Sequence, residues 1–337
     1  MTMTTADSNF TTAAPTRFEV EANKVVNRAL VTISATLSVL GTTLIIGTFV
    51  AWKDYRSTSR RILVYISIAD FFVATSNLFG VWRYSSQSDI VCETQSFVST
   101  CASLWSFFWT TFLAVFLYTI VAKKKRHKAE IMLKVFHVFG WGIPLIIVGT
   151  ALGLDKLGND KDYFTSGWCW IKWNLTTEDK HLWMLLTGKA WEIAAYILCS
   201  AFYLMLKIYI RREVRYQHNQ VSSQQSRDNA LLKVERRLTL VPVIFVLVRI
   251  WGTIRFILYL SERDNSNTWW ENVLLYFQGI GDSSQGFFNF LLFCLFTEKF
   301  QTRLRLAAHN LLLHCNKEKS VTDKYEDMCN TQEILVD

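Results

Sequence analysis

The chain lacks the sequence features that soluble enzymes and nucleotide-binding proteins usually carry. It has no internal repeat, no low-complexity tract, no glycine-rich phosphate loop and no cysteine and histidine cluster at metal-ligand spacing. Its six histidines are scattered, and none stands at ligand spacing from another within one helix. We therefore predict no catalytic residue, no metal and no cofactor, and we do not expect an enzyme.

Room for a folded soluble domain is also missing. The longest polar gaps, 154–181 and 209–237, are shorter than the roughly 40 residues that a domain needs to fold alone. The first 27 residues are polar and lack the apolar core of a cleavable signal peptide. Any activity must therefore reside among the apolar segments or at their two ends.

Apolar side chains, by contrast, are abundant: 51% of the residues are hydrophobic and 15% are aromatic. Seven stretches of about 20 residues or more are each long enough to cross a hydrocarbon core of roughly 30 Å as a helix. The predicted fold is an all-α membrane protein, a seven-transmembrane helix bundle. The segments are placed at 28–51, 62–83, 93–121, 131–153, 182–208, 238–260 and 271–296.

Lysine and arginine residues are concentrated in every second gap between the segments. They are more than twice as numerous in the first, third and fifth gaps and after the seventh segment as in the remaining gaps and the N-terminal arm. Basic loops stay in the cytoplasm, so we predict a multi-pass protein of the cell membrane with its N-terminus outside and its C-terminus inside. The net charge of +8 then reflects membrane topology, and nucleic acid is not an expected partner.

Two glycosylation sequons and two cysteines fall on the predicted outer side. The sequons begin at Asn9 and Asn174. Cys92 lies at the outer start of the third segment and Cys169 in the outer loop before the fifth. A disulfide between them would form in an oxidising compartment and would tie that loop over the third helix. Cys101, Cys199 and Cys294 are predicted to be buried packing residues.

The region after the seventh segment has a different pattern. Apolar residues recur at helical spacing among basic residues over 297–314, which predicts an amphipathic helix on the inner leaflet in contact with membrane lipid. A short extension of the seventh helix is the alternative. Cys315 is a lipidation candidate or a plain free thiol. The predicted organisation is an arm at 1–27, a seven-transmembrane domain at 28–296, this helix at 297–314 and a tail at 315–337.

These features together resemble a G-protein-coupled receptor. Residues 283–303 resemble the seventh helix of the secretin and adhesion classes, with a match at Gln285, Gly286, Phe287, Phe288, Cys294, Glu298 and Gln301. The runs SGWCWI (166–171) and HLWMLLTGKAWE (181–192) are similar to a small, rhodopsin-unlike orphan branch that also resembles the cyclic-AMP receptors of slime moulds. The resemblance covers roughly residues 28–313. It implies a heterotrimeric G protein as partner and an unknown extracellular ligand.

The departures from related classes limit what the resemblance implies. The third helix ends Tyr118-Thr119-Ile120 instead of the Asp-Arg-Tyr of rhodopsin-like receptors, and the seventh lacks their Asn-Pro-x-x-Tyr. Their activation switches are therefore not carried over. An arm of 27 residues is too short for a hormone-binding or autoproteolytic domain, so capture of a large peptide hormone by such a domain is not expected.

Ionisable residues within the segments are costly in lipid and usually face the bundle interior. Asp70, Arg249 and Asp282 lie near the membrane middle, and we predict that they form a polar switch between the second, sixth and seventh helices. A static ion cluster that only fixes helix register is the alternative.

A ligand pocket is predicted among the outer halves of the third, fifth, sixth and seventh helices, because small-ligand sites combine polar anchors with apolar walls. Lys189, Glu192 and Arg255 would supply the anchors. The walls would be Trp105, Trp109, Trp191 and Trp251. Each tryptophan could instead face lipid or belong to an interfacial belt.

The cytoplasmic side supplies the last candidates. Pro242, near the inner end of the sixth helix, is a hinge candidate in the helix that swings outward in the resembled family, although an early-turn proline is also tolerated without a bend. Arg236 and Arg237 are candidate G-protein contacts, or they only hold topology and meet anionic lipid. A seven-helix transporter or channel is the alternative function, although such proteins favour repeats and broken helices.

Overall fold

The computed structural model is helical throughout its long segments, as the hydropathy pattern predicts. It describes residues 17–53, 57–83, 89–123, 125–160, 165–217, 240–261, 269–292, 300–302 and 305–306. Six of its helices are α1 (Arg17–Ala51), α2 (Thr58–Arg83), α3 (Asp89–Val121), α4 (Arg126–Gly153), α6 (Leu240–Leu260) and α7 (Trp269–Phe290). The fifth, α5, is continuous through Thr177–Met184, a π-helical turn at Leu185–Lys189, and Ala190–Gln217.

The helix α1 begins at Arg17, well before the predicted start of the first segment at 28. Residues 17–27 mix polar and apolar side chains, and they include Glu19, Glu21, Ala22 and Lys24, which favour helices. Hydropathy marks where a chain is apolar, and it does not mark where a helix begins. The arm predicted at 1–27 is therefore helical from Arg17.

Six of the seven helices, α1 to α6, are long and apolar enough to cross a membrane. The exception within the described residues is α7, which carries Gln278, Asp282, Gln285 and Asn289 at spacings that share one helical face. Gln278, Gln285 and Asn289 are buried, and α7 packs against α1, α2 and α6. Its polar face is therefore turned into the bundle, which explains why its mean hydropathy is low.

The central helix of the bundle is α3. It packs against α2, α4, α5 and α6. Its side chains are buried over many turns, including Leu104, Phe107, Trp109, Leu113 and Phe116. A helix that is apolar on nearly every side is one surrounded by other helices.

A short hairpin lies across the end of α3. Strands β1 (Leu157–Gly158) and β2 (Trp170–Ile171) pair antiparallel, with Leu157 opposite Ile171. The predicted disulfide between Cys92 and Cys169 is confirmed and joins this hairpin to the first turn of α3. Beside the bridge, the backbone N–H of Cys169 donates to Gln95 Oε1 at 2.8 Å. We refer to this end of the bundle as the hairpin end.

The run 166–171 also attaches the hairpin to other helices. Gly167 has a φ of +102°, a backbone conformation that favours glycine. The Ser166 carbonyl accepts from Asn27 Nδ2 of α1 at 2.8 Å, and the Ser166 hydroxyl donates to the Leu275 carbonyl of α7 at 3.0 Å. Trp168 lies against Gly80 of α2. A Cβ added at Gly80 would be 2.7 Å from the Cβ of Trp168. The hairpin is thus held by α1, α2, α3 and α7.

An ion cluster stabilises the same end. Lys172 Nζ pairs with Glu93 Oε1 at 2.8 Å and also bonds Asp155. Burial alone would lower the pKa of Lys172, but its hydrogen bonds to Asp155 and Glu93 outweigh that effect and raise the pKa. Lys172 therefore keeps its charge wherever the hairpin is folded at physiological pH.

Glycines allow α7 to approach its neighbours at backbone distance. A Cβ on Gly281 would collide with the carbonyl oxygen of Val248 on α6, and a Cβ on Gly286 would collide with Thr42 of α1. Small residues at helix contacts are a general device of membrane bundles, since close backbones gain van der Waals contact. The position of α7 therefore depends on these two glycines.

We expect Gly281→Ala to destabilise the purified protein by about 1–3 kcal/mol, because the new methyl group meets backbone that cannot rotate away. Gly142→Ala on α4 is the matched control. Nothing lies within 4 Å of its Cβ position, so this change should stabilise by about 0.5–1 kcal/mol through helix propensity. Thermal unfolding in detergent measures both. Equal melting temperatures for the two variants would contradict the close α6–α7 contact.

Candidate functional site

A chain of buried hydrogen bonds crosses the middle of the bundle from α6 to α2. Arg249 Nε donates to Gln285 Oε1 at 3.0 Å. Gln285 Nε2 donates to Ser106 Oγ at 2.9 Å, and Ser106 Oγ donates to Asp70 Oδ1 at 2.7 Å. Each member belongs to a different helix: α6, α7, α3 and α2. We call these four residues the central network.

The other groups around Asp70 and Arg249 complete this arrangement. Asn289 Nδ2 of α7 donates to Asp70 Oδ2 at 3.0 Å, so that both carboxylate oxygens are bonded. Arg249 Nη1 lies 3.9 Å from Asp282 Oδ1, a long ion pair between α6 and α7. The Arg249 guanidinium also lies over the ring of Phe107, 4.7 Å from its centre. Buried charge is compensated here by several weak contacts rather than by one short pair.

The structure brings the three predicted switch residues into one region, but not as a directly bonded triad. Arg249 and Asp282 are paired, whereas the hydrogen-bonded connection from Asp70 to Arg249 runs through Ser106 and Gln285. Sequence reasoning missed Ser106, Gln285 and Asn289 because it searched for charge, and uncharged polar residues are common in membrane helices. The spacing of Asp282, Gln285 and Asn289 along one face of α7 was the available signal.

A second buried pair lies on α5, nearer the hairpin end. Lys189 Nζ and Glu192 Oε2 are 2.6 Å apart, and both side chains are almost completely buried. Tyr196 donates to Glu192 Oε1 at 2.8 Å, and its hydroxyl lies 3.2 Å from the Thr253 hydroxyl of α6. Lys189 closes the π-helical turn of α5, a feature that often marks functional sites.

A cavity of about 70 Å³ lies between the two ion pairs. All four charged side chains, Lys189, Glu192, Arg249 and Asp282, line it. The aromatic part of its wall comes from Phe107 of α3 and from the hairpin residues Trp168 and Trp170. Polar groups with apolar walls in a concave space are the usual composition of a small-ligand site. Within the described part of the chain, no cluster of three or more metal-ligating side chains is present.

The structure places two of the predicted pocket anchors on the wall of this cavity and the third anchor and the predicted walls elsewhere. Lys189 and Glu192 line the cavity, but Arg255 bonds Gln278 and is not part of its wall. The four predicted tryptophans are not part of that wall either. The hairpin tryptophans take their place because the disulfide holds β2 over the opening, which no helical pattern could reveal.

The predicted tryptophans lie in other contacts. Trp109 is fully buried among Tyr65, His137 and Trp141, with ring centres 4.7 to 5.5 Å apart. Trp105 donates its indole N–H to the Trp141 carbonyl at 3.2 Å. These two therefore belong to the α2–α3–α4 packing layer.

Trp191 and Trp251 are half-buried at the rim of the bundle. The indole N–H of Trp191 donates to the Leu186 carbonyl at 2.9 Å. Trp251 stacks on Phe277 with ring centres 4.7 Å apart. Both rings therefore support helix packing rather than the cavity.

The remaining predicted residues have mixed positions. Asn174 is exposed in the turn between β2 and α5, at the hairpin end. Pro242 is buried as the third residue of α6 and lies near Tyr203, and its role as a hinge stays a prediction. Cys101 and Cys199 are buried free thiols, as predicted. Asn9, Arg236, Arg237, Cys294 and Cys315 lie outside the described residues.

The amphipathic helix predicted at 297–314 is described only at 300–302 and 305–306, which are helical. Phe300 is buried, whereas Arg305 and Leu306 are exposed. The full helix stays a prediction.

The central network can be tested for coupling. Gln285→Leu leaves Arg249 Nε and Ser106 without their shared partner, and we expect a loss of about 1–2 kcal/mol in unfolding free energy. Ser106→Ala removes an adjoining bond, so the double variant should depart from additivity by at least ~0.5 kcal/mol. Denaturant titration in detergent provides the free energies. Gln285→Leu combined with Thr94→Val, which changes an exposed local bond on α3, is the additive control. Full additivity in both cycles would mean that the network does not couple.

Comparison with known proteins supports the predicted class. Residues 25–288 match the family model described as 7 transmembrane receptor (Secretin family). The chain is 38% identical over 282 residues to the G-protein coupled receptor 157 of Mus musculus, covering 82% of this chain and 84% of that protein. It is 38% identical over 285 residues to the receptor of the same name in Homo sapiens, with 82% of each chain covered. A more distant relative is the cyclic AMP receptor-like protein A of Dictyostelium discoideum, 28% identical over 42% of this chain and 36% of that protein.

Proposed function

The chain belongs to the secretin family of seven-transmembrane receptors, and we propose that its extracellular ligand binds in the cavity beneath Trp168 and Trp170. It is a G-protein-coupled receptor, and the resemblance predicted from residues 166–171, 181–192 and 283–303 is confirmed. This family signals from a ligand outside the cell to a heterotrimeric G protein inside. The transporter or channel alternative is not favoured.

One residue supports the link between ligand binding and signalling. Arg249 lines the cavity and is also the α6 end of the central network. A ligand that contacts Arg249 acts directly on the residue whose bond to Gln285 joins α6 to α7, α3 and α2. A ligand can shift a conformational equilibrium only through contacts that differ between the two states. The Arg249 guanidinium offers such a difference, since a change in its partners would loosen α6 from the other three helices.

Three observations support the proposed orientation. The disulfide of the hairpin end requires an oxidising compartment, its turn exposes Asn174 within a sequon, and the lysine-rich gaps lie at the other end of the helices. The hairpin end therefore faces outside and the C-terminus faces the cytoplasm. The G protein would bind between the inner ends of the helices, with Arg236 and Arg237 as contacts. The helix at 297–314 and an acylated Cys315 would lie on the inner leaflet.

Neutralising Arg249 should raise basal signalling. Arg249→Gln keeps some hydrogen bonding but removes the charge, and the loss of one charged bond corresponds to roughly a tenfold shift toward the active state. Cyclic AMP, calcium and inositol phosphate are measured in parallel at matched surface expression. Arg28→Gln, on α1 beside the Trp82 ring and not part of the cavity wall, is the control and should leave basal output unchanged. Unaltered signalling in Arg249→Gln would rule out the switch.

Membrane orientation can be measured with epitope tags. An N-terminal tag should react with antibody on intact cells, and a C-terminal tag should react only after permeabilisation. Asn9→Gln and Asn174→Gln should each remove glycosidase-sensitive mass, because both sequons lie on the outer side. Detection of both tags on one face of intact cells would refute an odd number of crossings.

A further inference from the structure

We infer that the ligand of this cavity is a small zwitterion, whose carboxylate binds Arg249 and whose ammonium group binds Asp282. This inference rests on the proposed function, since it names the chemical class of ligand for the same site. Four observations carry it: the charge balance of the cavity, the difference between its two ion pairs, an unsatisfied guanidinium nitrogen and the small volume.

The charged side chains that line the cavity balance each other. Lys189 and Arg249 are cations, and Glu192 and Asp282 are anions. A buried charge without a partner is strongly unfavourable, and a ligand with one net charge would leave such a charge behind. A ligand with one positive and one negative group preserves the balance. The cavity therefore disfavours simple amines and simple carboxylic acids alike.

The two ion pairs differ in how completely they are formed. Lys189 and Glu192 approach to 2.6 Å, and Tyr196 bonds the second carboxylate oxygen of Glu192. Arg249 and Asp282 are 3.9 Å apart, at the limit of an ion pair. The Asp282 side chain is 13% exposed, compared with 3% for Glu192. Both carboxylate oxygens of Glu192 are already bonded, whereas the long Arg249–Asp282 pair leaves both of its charges open to a ligand.

One nitrogen of the Arg249 guanidinium is available to bind a ligand. Arg249 Nε bonds Gln285, but the buried Nη2 has no hydrogen-bond partner among the described residues. An unpartnered buried donor on a cation is expensive, and a guanidinium matches a carboxylate with two parallel bonds. A carboxylate from the ligand supplies the missing acceptor.

The cavity volume of about 70 Å³ restricts the size of the ligand. Phe107 lies against the guanidinium on one side, and Trp168 and Trp170 cover the hairpin end. The anion site on α6 and the cation site on α7 are neighbours, so the two ligand charges must be separated by only a few bonds. Free amino acids have this combination of charge, size and spacing.

The test uses the full-length receptor in lipid nanodiscs and a panel of probes. The panel contains free α-, β- and γ-amino acids with small side chains, together with the N-acetyl derivative and the methyl ester of each. We expect at least one zwitterion at millimolar concentration to raise the melting temperature by ~2 °C or more, with no shift from either singly charged derivative. Equal stabilisation by the derivatives, or no shift from any zwitterion, would overturn the inference.

Variants then assign the two charges. Arg249→Gln and Asp282→Asn should each weaken binding of the stabilising zwitterion at least tenfold, whereas Arg28→Gln, outside the cavity wall, should not. Because the derivatives are compared on the wild-type receptor, the result stands even if a variant fails to fold. Undiminished binding by a folded Arg249→Gln or Asp282→Asn receptor would also overturn the inference.

Thermal shift does not require a G protein, so failure of the two proposals can be separated. Zwitterion binding without a second-messenger response would refute the signalling role and leave the ligand class intact. Altered basal signalling in Arg249→Gln with no zwitterion binding would refute the ligand class and leave the signalling role of Arg249 intact.

Discussion

A cation inside a lipid-embedded helix bundle must be matched by groups of the protein, and Arg249 makes this requirement the centre of the structure. Its side chain is almost completely buried in the middle of α6. Exposure to hydrocarbon would cost at least about 3 kcal/mol, so the guanidinium persists only while α7 and α3 supply acceptors, a counter-ion and an aromatic face. Gln285, Asp282 and Phe107 provide these three contacts. The polarity of α7 follows, because a helix that compensates charge cannot also be uniformly apolar.

The same constraint connects the cavity to α3 and α2. Arg249 contacts the cavity on one side and Gln285 on the other, and the hydrogen bonds continue through Ser106 to Asp70. Glycine at 281 lets α6 and α7 approach closely enough for these bonds to form. A ligand at the cavity therefore acts on a network whose members have few alternative partners. Low dielectric makes each bond stronger and each unsatisfied group more costly, which is the condition for a two-state response.

The hairpin end is organised by a different principle. There the backbone is irregular, and the disulfide, the Lys172 ion cluster and the hydrogen bonds of Ser166 hold it. The run 166–171 that carries much of the family resemblance contains most of these attachments. Its glycine adopts a left-handed conformation, and one of its tryptophans packs against Gly80. The hairpin can therefore cover the cavity without a large soluble domain.

The linear pattern alone determined the class, because crossing a membrane imposes long apolar helices and an asymmetric distribution of lysine and arginine that can be read without coordinates. It also predicted the disulfide, the placement of Asp70, Arg249 and Asp282 in one region of the bundle, and the pairing face of Lys189 and Glu192. Only tertiary structure decided which tryptophans border the cavity and that Ser106 and Gln285 connect Asp70 to Arg249. Those outcomes depend on helix rotation and on where the tethered hairpin lies. Such choices are made by packing between segments that are distant along the chain, and a periodic pattern within one segment holds no information about them.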